Sequence, residues 1–440
     1  MTDKQLWGAE TTKAVSNFPI SGETVPVSVV RWLARLKGAA ALVNGELGLL
    51  DKRRAAAIAK GAGEIAAGKH DAQFPIDVFQ TGSGTSTNTN ANEVIAALAG
   101  ANVHPNDHVN FGQSSNDVFP SAVHLAALDV AQNELLPALR QLERSFARKS
   151  KSFANVVKSG RTHLMDAVPV TLGQEFGGYA AQIALGQERV RSALVHVGQI
   201  PLGGTATGTG LNTHPRFAEK VRARLKKESG LKQIAAPVDR FEAQASRDAL
   251  VELSGALKVV AVSLSKIAGD LALMGSGPRA GIGEIRLPEL QKGSSIMPGK
   301  VNPVIPEVVL QVAAQVIGND TAITVGGMQG QFELNVRIPL LARNLLQSLH
   351  LLASTSRVFA EKCVDGIEAN RAGTDASAGA TLAAATALNS AIGYDKGTTI
   401  VKRATESGRP LREIALEEGV DAKLYDATID LRKIARGNHA

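Results

Sequence analysis

A chain of 440 residues and 46.0 kDa, with 44% hydrophobic and 20% charged residues, can bury a large core, which excludes a mostly disordered protein. The formal net charge of +7 is dispersed, and basic residues do not alternate with aromatic residues. Small anions are therefore favoured over nucleic acid as partners. A single cysteine, Cys363, excludes an intramolecular disulfide and a cysteine-rich zinc site.

Helical periodicity accounts for most of the chain, and aromatic residues, at 4%, are too few to favour strands. In chain order, the pattern predicts helical segments over residues 27–50, 52–67, 121–157 (interrupted at Pro137), 170–200, 241–274 and 307–363 (which contains Gly326, Gly327, Gly330 and Pro339). If residues 241–274 form one helix, it is about 50 Å long at ~1.5 Å per residue. Such long helices with wide apolar faces predict a bundle in which partner subunits cover part of the apolar surface.

These patterns predict a mainly α-helical fold in three domains. Residues 1–120 form a mixed but mostly helical domain, residues 121–372 a central bundle of long helices, and residues 373–440 a small helical unit broken at Gly408-Arg409-Pro410. The first residues lack the basic and apolar pattern of a signal peptide, and the longest uncharged segments are too polar to span a bilayer. We therefore expect a soluble, cytoplasmic protein without a membrane partner.

Two polar segments in the first part of the chain lie beside predicted helices. Thr81–Asn88 (TGSGTSTN) either cradles an anion at the start of the following helix or forms a flexible turn, and its spacing is not that of a P-loop. Gln113–Asp117 (QSSND) either caps a helix in the ordinary way or offers hydroxyl and N–H groups to a ligand. Taken alone, each pattern favours the structural interpretation.

Two further polar segments follow later in the chain. Gly160–His163 ends in a histidine, which is more often structural and which needs an orienting partner, ideally a carboxylate, to act in catalysis. Gly293–Pro303 (GSSIMPGKVNP) surrounds two hydroxyls, a lysine and an amide with glycine and proline, as expected of a mobile loop that closes over a substrate. A purely structural loop explains the glycines and prolines, but not Lys300 and Asn302 immediately before a long helix.

The loop Gly293–Pro303 resembles the characteristic loop of the fumarase/aspartase superfamily. Five other blocks resemble the class II fumarase versions of family motifs, in the same order: Thr81–Asn88, His104–Asp107, Gln113–Asp117, Arg161–Leu164 and Gly203–His214. The resemblance extends from Leu6–Ala9 to Gly393–Lys396 and favours class II fumarate hydratase, of the fumarase C type. Val304–Glu307 is closer to the aspartase form, which keeps aspartate ammonia-lyase, releasing ammonia from L-aspartate to give fumarate, as the alternative.

The resemblance implies a three-domain helical subunit and a homotetramer with a central multi-helix bundle, in which each active site draws on three subunits. The implied reaction is the reversible anti addition of water to fumarate, giving (S)-malate through an aci-carboxylate intermediate, a step of the tricarboxylic acid cycle. No metal and no organic cofactor are implied. Because the malate C3 proton is weakly acidic, catalysis needs a base near C3, donors around the neighbouring carboxylate and an acid for the leaving hydroxyl.

The same resemblance implies roles for individual residues. Ser294 is the base at C3, which backbone N–H groups and positive charge must activate, since a serine hydroxyl is a poor base. Lys300 and Asn302 bind a substrate carboxylate and stabilise the developing charge. His163, oriented by Glu307, acts as the acid at the hydroxyl side, directly or through a water. The other implied substrate-binding residues are Ser83, Thr85, Asn88, Ser114, Ser115, Asn116 and Thr162.

The block around His104, Asn106 and Asp107 forms a second, non-catalytic dicarboxylate site in some relatives of the family. The Arg or Lys that often precedes this block is missing here, where Ala101–Val103 stands in its place. The second site thus keeps its polar residues but not its usual cation. Lys292 also replaces the usual proline before the loop, which either changes the flexibility of the loop or adds positive charge.

Overall fold

The computed structural model describes residues 5–437, and it is 66% helical, which confirms the predicted mainly α-helical fold. The helices and strands are, in chain order, α1 Ala9–Asn17, α2 Val27–Glu46, α3 Lys52–Ala66, α4 Thr85–Ala99, α5 Ser115–Val130, α6 Leu136–Ser152, β1 Val157–Thr162, β2 Met165–Thr171, α7 Leu172–Val197, α8 Phe217–Ser229, α9 Arg240–Ala245, α10 Asp248–Met274, β3 Ile285–Arg286, α11 Val304–Gly327, α12 Ile338–Lys362, β4 Glu368–Ala369, α13 Arg371–Ala380, α14 Asn389–Ile392, α15 Tyr394–Ser407, α16 Leu411–Glu417, α17 Ala422–Thr428 and α18 Leu431–Arg436.

Backbone contacts group the described residues into two compact units. The first unit contains residues 5–137, 186–261 and 312–354, and the second contains residues 138–185, 262–311 and 355–437. The predicted division into three domains, with boundaries at residues 120/121 and 372/373, stays a prediction.

In the first unit, small residues allow α2 and α3 to pack closely. A Cβ on Gly38 would lie 3.2 Å from the Cβ of Ala62, which is closer than ordinary van der Waals contact. Leu33 and Leu36 of α2 are fully buried. Because α2 is buried on most of its circumference, two of its polar residues, Lys37 and Asn44, also lie in the interior.

In the second unit, five aromatic residues form one cluster. Its ring centroids lie 5.2 to 6.0 Å apart, in tilted or edge-to-face contact, and its members are Phe146, Phe153, Phe176, Tyr179 and Phe359. The C-terminal helices have a small core of their own, which includes Leu388, Ile400 and Ile414. As predicted, this part is interrupted between Ser407, the last residue of α15, and Leu411, the first of α16.

A β-hairpin interrupts the helices of the second unit. Thr162 of β1 pairs with Met165 of β2, so His163 and Leu164 alone form its turn. A second, very short sheet pairs β3 with β4. The hairpin was not predicted from the sequence, although Val168, Val170 and Thr171 of β2 favour extended structure.

Two predicted long helices are broken. Residues 241–274 are not one helix, because the backbone of Ser246 is extended and its Oγ accepts a hydrogen bond from the Asp248 N–H at the start of α10. Residues 307–363 form α11 and α12, separated by the non-helical segment 328–337. Within this segment a Cβ on Gly330 would lie 2.5 Å from the carbonyl oxygen of Ala245, so the glycine permits a close backbone approach.

The break predicted at Pro137 takes a milder form. A π-helical turn, Ala131–Leu135, lies between α5 and α6 directly before the proline. The extra residue in this turn accommodates a proline that cannot donate a backbone hydrogen bond.

Among the described helices, α11 alone is long and apolar enough to cross a membrane, with a mean hydropathy of 1.3 over its most apolar stretch. Only 33% of that stretch is buried within the chain. The buried core helices of soluble proteins meet the same criteria of length and composition. The apolar residues of this helix therefore need a covering partner, whose nature the helix alone does not define.

Candidate active site

The segment Thr81–Asn88 forms a tight turn that leads into the first residues of α4. A Cβ on Gly82 would lie 1.6 Å from the carbonyl oxygen of Val336, and Gly84 has φ +76° with the Phe119 ring against its Cα, so neither position accepts a side chain. The hydroxyls of Ser83 and Thr85 are hydrogen-bonded to each other at 2.7 Å. These two hydroxyls are thereby held together at the N-terminal end of α4, where an anion is stabilised.

The segment Gln113–Asp117 forms a capping box at the start of α5. The Ser114 hydroxyl accepts a hydrogen bond from the Asn116 N–H at 3.2 Å, and the Asp117 carboxylate accepts one from the Ser114 N–H at 2.9 Å. The other carboxylate oxygen of Asp117 accepts the N–H groups of Gly203 and Thr205 at 2.9 and 3.0 Å. The cap thus fixes Ser114 and Asn116 to a second loop, which the Asn116 amide also binds through the Ala206 carbonyl at 2.9 Å.

Burial raises the pKa of the Asp117 carboxyl to about 6, although the hydrogen bonds that it accepts from the backbone N–H groups of Ser114, Gly203 and Thr205 act in the opposite direction.

Asn88 of α4 donates to the Ser115 hydroxyl at 3.0 Å. The structure therefore brings Ser83 and Thr85 together, and Asn88 and Ser115 together, within the first unit.

A cavity of about 620 Å³ lies in the first unit beside these groups. Ser114, Asn106 and Asp107 line it, together with Asn110, Phe111, Gly112, Gln113, Thr205, Ala206, Leu211 and Asn212. His104 of the predicted second site contacts Asp107 instead, with Nδ1 at 3.1 Å from the Asp107 backbone nitrogen and 3.2 Å from its carboxylate. Among the described residues that line the cavity, none is lysine or arginine.

The candidate acid His163 lies at the tip of the hairpin in the second unit. His163 and Leu164 have φ values of +55° and +60°, the left-handed region that glycine and asparagine prefer. Positive φ at both turn residues is the geometry of a two-residue type I′ turn. Leucine is not suited to it by conformational preference, so the turn carries strain at Leu164 of the kind found at functional sites.

A buried carboxylate anchors this hairpin. Glu284, fully buried, accepts two hydrogen bonds from the Arg161 guanidinium at 2.8 and 3.0 Å, and Lys158 Nζ lies 3.0 Å from it. Ser377 donates to the same carboxylate at 2.8 Å, and Lys158 also pairs with Glu175 at 2.7 Å. Because Arg161 lies two residues before His163, this network sets where the tip of the hairpin stands.

The pKa of the Glu284 carboxyl lies below its ordinary value. Burial raises it, but the hydrogen bond from Arg161 and the charge of Lys158 outweigh that effect. Glu284, Lys158 and Glu175 are not among the site residues predicted from the sequence. An isolated Glu or Lys in a sequence carries no sign of burial, and only the fold pairs them.

The candidate loop Gly293–Pro303 is exposed at its tip and held mainly by its own atoms. Gly293 N–H donates to the Lys300 carbonyl at 3.0 Å, and the Asn302 amide donates to the Gly293 carbonyl at 2.8 Å. The Ser294 hydroxyl accepts the N–H groups of Ile296 and Met297 at 3.2 and 3.0 Å. Two N–H donors aimed at one oxygen stabilise negative charge on it, which is what a serine needs to act as a base.

Three candidate residues of the second unit stand apart. His163, Lys300 and Glu307 are exposed, and within residues 5–437 their side chains form no hydrogen bond or ion pair. The described residues of one chain therefore do not supply His163 with the carboxylate that its implied role as an acid requires. Thr162 is likewise exposed, at the last position of β1.

Comparison with known proteins identifies the family. The chain matches a lyase family model over residues 1–318 and the model of the fumarase C C-terminus over residues 385–436. It is 57% identical to a class II fumarate hydratase of Corynebacterium glutamicum, over 98% of this chain and 92% of that protein, and 50% identical to one of Nitrosomonas europaea, over 98% and 95%. Among solved structures, it is similar to a class II fumarase of Schistosoma mansoni, with a TM-score of 0.97, 36% identity and coverage of 100% and 97% of the two chains.

A solved structure of a Brucella melitensis protein described as fumarate lyase:delta crystallin is also similar, with a TM-score of 0.94, 44% identity and coverage of 99% and 97%. Matches at this identity, over nearly the whole length of both partners, confirm the resemblance drawn from the motifs. The chain belongs to the class II fumarate hydratases of the fumarase/aspartase superfamily.

Proposed function

We propose that this protein catalyses the reversible hydration of fumarate to (S)-malate, with Ser294 as the base that removes the C3 proton of malate. The observation that carries the proposal is the pair of hydrogen bonds from the Ile296 and Met297 N–H groups to the Ser294 oxygen. They lower the energy of the alkoxide form, so the hydroxyl can exchange its proton with C3. Relatives described as class II fumarate hydratases, at 50–57% identity, favour hydration over release of ammonia.

The other candidate residues stabilise the charge that this proton transfer creates. Removal of the proton places charge on the neighbouring carboxylate, and Lys300, with its exposed ammonium group, is suited to bind it. Hydroxyl and amide donors bind the two carboxylates: Ser83, Thr85, Asn88, Ser114, Ser115, Asn116, Thr162 and Asn302. His163 delivers the proton to the leaving hydroxyl, directly or through a water, and Glu307 orients its ring.

We propose further that the protein is a homotetramer. The long helices leave large apolar side chains uncovered, among them Val262 of α10 at 54% exposure and Val325 of α11 at 47%. Val308, Leu310 and Ile317 add to the exposed apolar area of α11. A bundle formed with other copies of the same helices removes it from water, at about 25 cal/mol per Å² of apolar surface.

Each active site of the tetramer is proposed to draw on three subunits. The support within this chain is that His163 and Glu307 stand exposed and without partners among the described residues. In a shared site, the carboxylate that orients His163 comes from another copy. The predicted cytoplasmic location stays a prediction.

The activity is tested by absorbance in the fumarate band after the protein is added to L-malate, with L-aspartate in a parallel cuvette. We expect fumarate from malate alone. Fumarate from aspartate alone would assign the protein to the ammonia-lyases, and no signal from either substrate would overturn the proposal.

Assembly and sharing are tested by two further measurements. Light scattering after size-exclusion chromatography should give about four times the chain mass of 46.0 kDa. Co-expression of a Ser294→Ala chain with a His163→Asn chain should restore part of the activity, because mixed tetramers contain sites with both native residues. No restoration beyond the activity of either variant alone would contradict sharing between these two residues.

A further inference from the structure

One lysine is buried directly behind the dicarboxylate-binding segment. Lys37 of α2 is fully buried, and its Nζ donates to the Asn110 side-chain oxygen at 3.1 Å and to the Gln113 side-chain oxygen at 3.0 Å. Asn110 and Gln113 both line the 620 Å³ cavity that Ser114 also lines. Asn44, seven residues after Lys37 and thus on the same face of α2, donates to the Phe111 carbonyl at 3.0 Å. The polar face of α2 therefore supports the wall of this cavity.

The direction of the hydrogen bonds around Lys37 is fixed by its chemistry. An ammonium group has only donors, so Asn110 must present its oxygen to Lys37 and its amide nitrogen to the Gln113 carbonyl, 3.2 Å away. The Asn110 oxygen also accepts from the Asn88 amide at 3.2 Å. Asn88 must therefore turn its nitrogen toward Asn110.

The same orientation determines what Ser115 can do. The Asn88 nitrogen donates to the Ser115 oxygen at 3.0 Å, so the Ser115 proton is left to donate elsewhere. The Asn88 side-chain oxygen is buried and has no hydrogen-bond partner among the described residues. Leaving this acceptor unpaired is unfavourable, which indicates that the surroundings impose the orientation of the amide.

We infer that Lys37 is a positioning residue that sets the hydrogen-bond polarity of the dicarboxylate site, making Ser115 a donor to a substrate carboxylate. The inference rests on the proposed function, since it concerns the same binding site. Burial lowers the pKa of Lys37 to about 7, and the charge of Asp117 opposes this shift. A dicarboxylate bound in the cavity would act in the same direction as Asp117 and favour the ammonium form, whose donors set the orientation of Asn110 and Gln113.

The test compares Lys37→Met, which keeps a similar volume but removes the donors, with Lys37→Gln, which keeps one donor group. We expect Lys37→Met to raise KM for fumarate about 10- to 100-fold, the range for losing hydrogen bonds from a charged donor, with a much smaller change in kcat. Lys37→Gln should give an intermediate KM. Leu36→Ala, a fully buried neighbour on the same helix, is the control, and it should lower stability but leave KM unchanged.

A folded Lys37→Met protein with the KM of the unmodified protein would overturn the inference. If Lys37→Met does not fold, Asn110→Ala breaks the same chain of hydrogen bonds at a less buried position, and an unchanged KM there would also overturn it. Succinate binding by calorimetry, measured on the same proteins, separates the two proposals because it needs no turnover. Absence of fumarate hydration in the unmodified protein refutes the proposed function, whereas unchanged succinate affinity in the variants refutes the role of Lys37.

Discussion

The two segments of the second unit that carry proposed catalytic groups are held in opposite ways. The hairpin with His163 is anchored by the buried carboxylate of Glu284 through Arg161. The loop with Ser294 is closed by hydrogen bonds among its own residues, and Ile296 at its tip is 84% exposed. His163 is therefore tied to a buried group of the fold through Arg161, whereas the hydrogen bonds of the Ser294 loop join the loop to itself.

This difference suits a site that must admit substrate and then exclude water. With His163 as the proposed acid and Ser294 as the proposed base, the two tasks fall to separate segments. The hydrogen bonds to the Ser294 oxygen lie within the loop, so they do not depend on contacts with the rest of the protein. The two segments should consequently respond differently to mutation.

The largest effect is expected from Ser294→Ala on the loop. Loss of a general base costs about 10²- to 10⁴-fold in kcat, and the loop makes few contacts that support the fold. We expect kcat for malate dehydration to fall by this amount, while the free energy of unfolding changes by no more than about 0.5 kcal/mol. Steady-state kinetics and chemical denaturation measure the two quantities.

Ser295→Ala is the matched control, because it removes a neighbouring exposed hydroxyl from the same loop. It should retain most of the activity. Equal losses in the two variants would mean that the loop is disturbed as a whole, and full activity in Ser294→Ala would remove this serine from the mechanism.

Glu284→Gln tests the anchored hairpin rather than the loop. The neutral amide leaves the charges of Arg161 and Lys158 without their shared buried partner, although Lys158 keeps Glu175. We expect a loss of about 3 kcal/mol in unfolding free energy, together with a lower kcat as the hairpin shifts. Glu413→Gln, which removes an exposed ion pair with Arg409, should change stability by less than about 1 kcal/mol.

The contribution of Glu284 should also depend on pH. Its pKa in the folded protein lies below the ordinary value of 4.5, so its stabilising effect is fully present above that value and is lost as the pH falls through the folded pKa. The stability difference between the unmodified protein and Glu284→Gln should therefore shrink below pH 4.5. A difference that stays constant or grows with acid would contradict the assigned ion pairing.

The helices were predictable because their signals are local. The periodicity of residues 27–50 and 52–67 predicted α2 and α3 to within a few residues, and the glycines and prolines marked most ends. The hairpin was missed because its turn residues, His163 and Leu164, are not those that normally announce a two-residue turn. Residues that are not typical of a two-residue turn give no local sequence signal for a hairpin.

The residues of the candidate site also differ in whether the sequence reveals them. Hydroxyl, amide and loop residues such as Ser294 and Asn116 could be proposed from motifs, since they cluster in sequence. Lys37 and Glu284 support such segments from elsewhere in the chain, and their burial and pairing arise only from folding. Supporting charges of this kind are visible in a structure and not in a composition.

The smallest effect is expected from Leu164→Asn, in the turn of the hairpin. Asparagine tolerates positive φ better than leucine does, and Leu164 is 72% exposed, so the exchange removes strain without removing a core contact. We expect about 1 kcal/mol more unfolding free energy by chemical denaturation, with His163 unchanged. Leu211→Asn, at 69% exposure and without positive φ, should give no gain, and a loss in Leu164→Asn would show instead that Leu164 packs against another subunit. A gain in stability accompanied by a lower kcat would mean that the strained turn holds His163 in its working position. Strain with this role is expected in the hairpin, which the buried Glu284 anchors, rather than in the loop that carries Ser294.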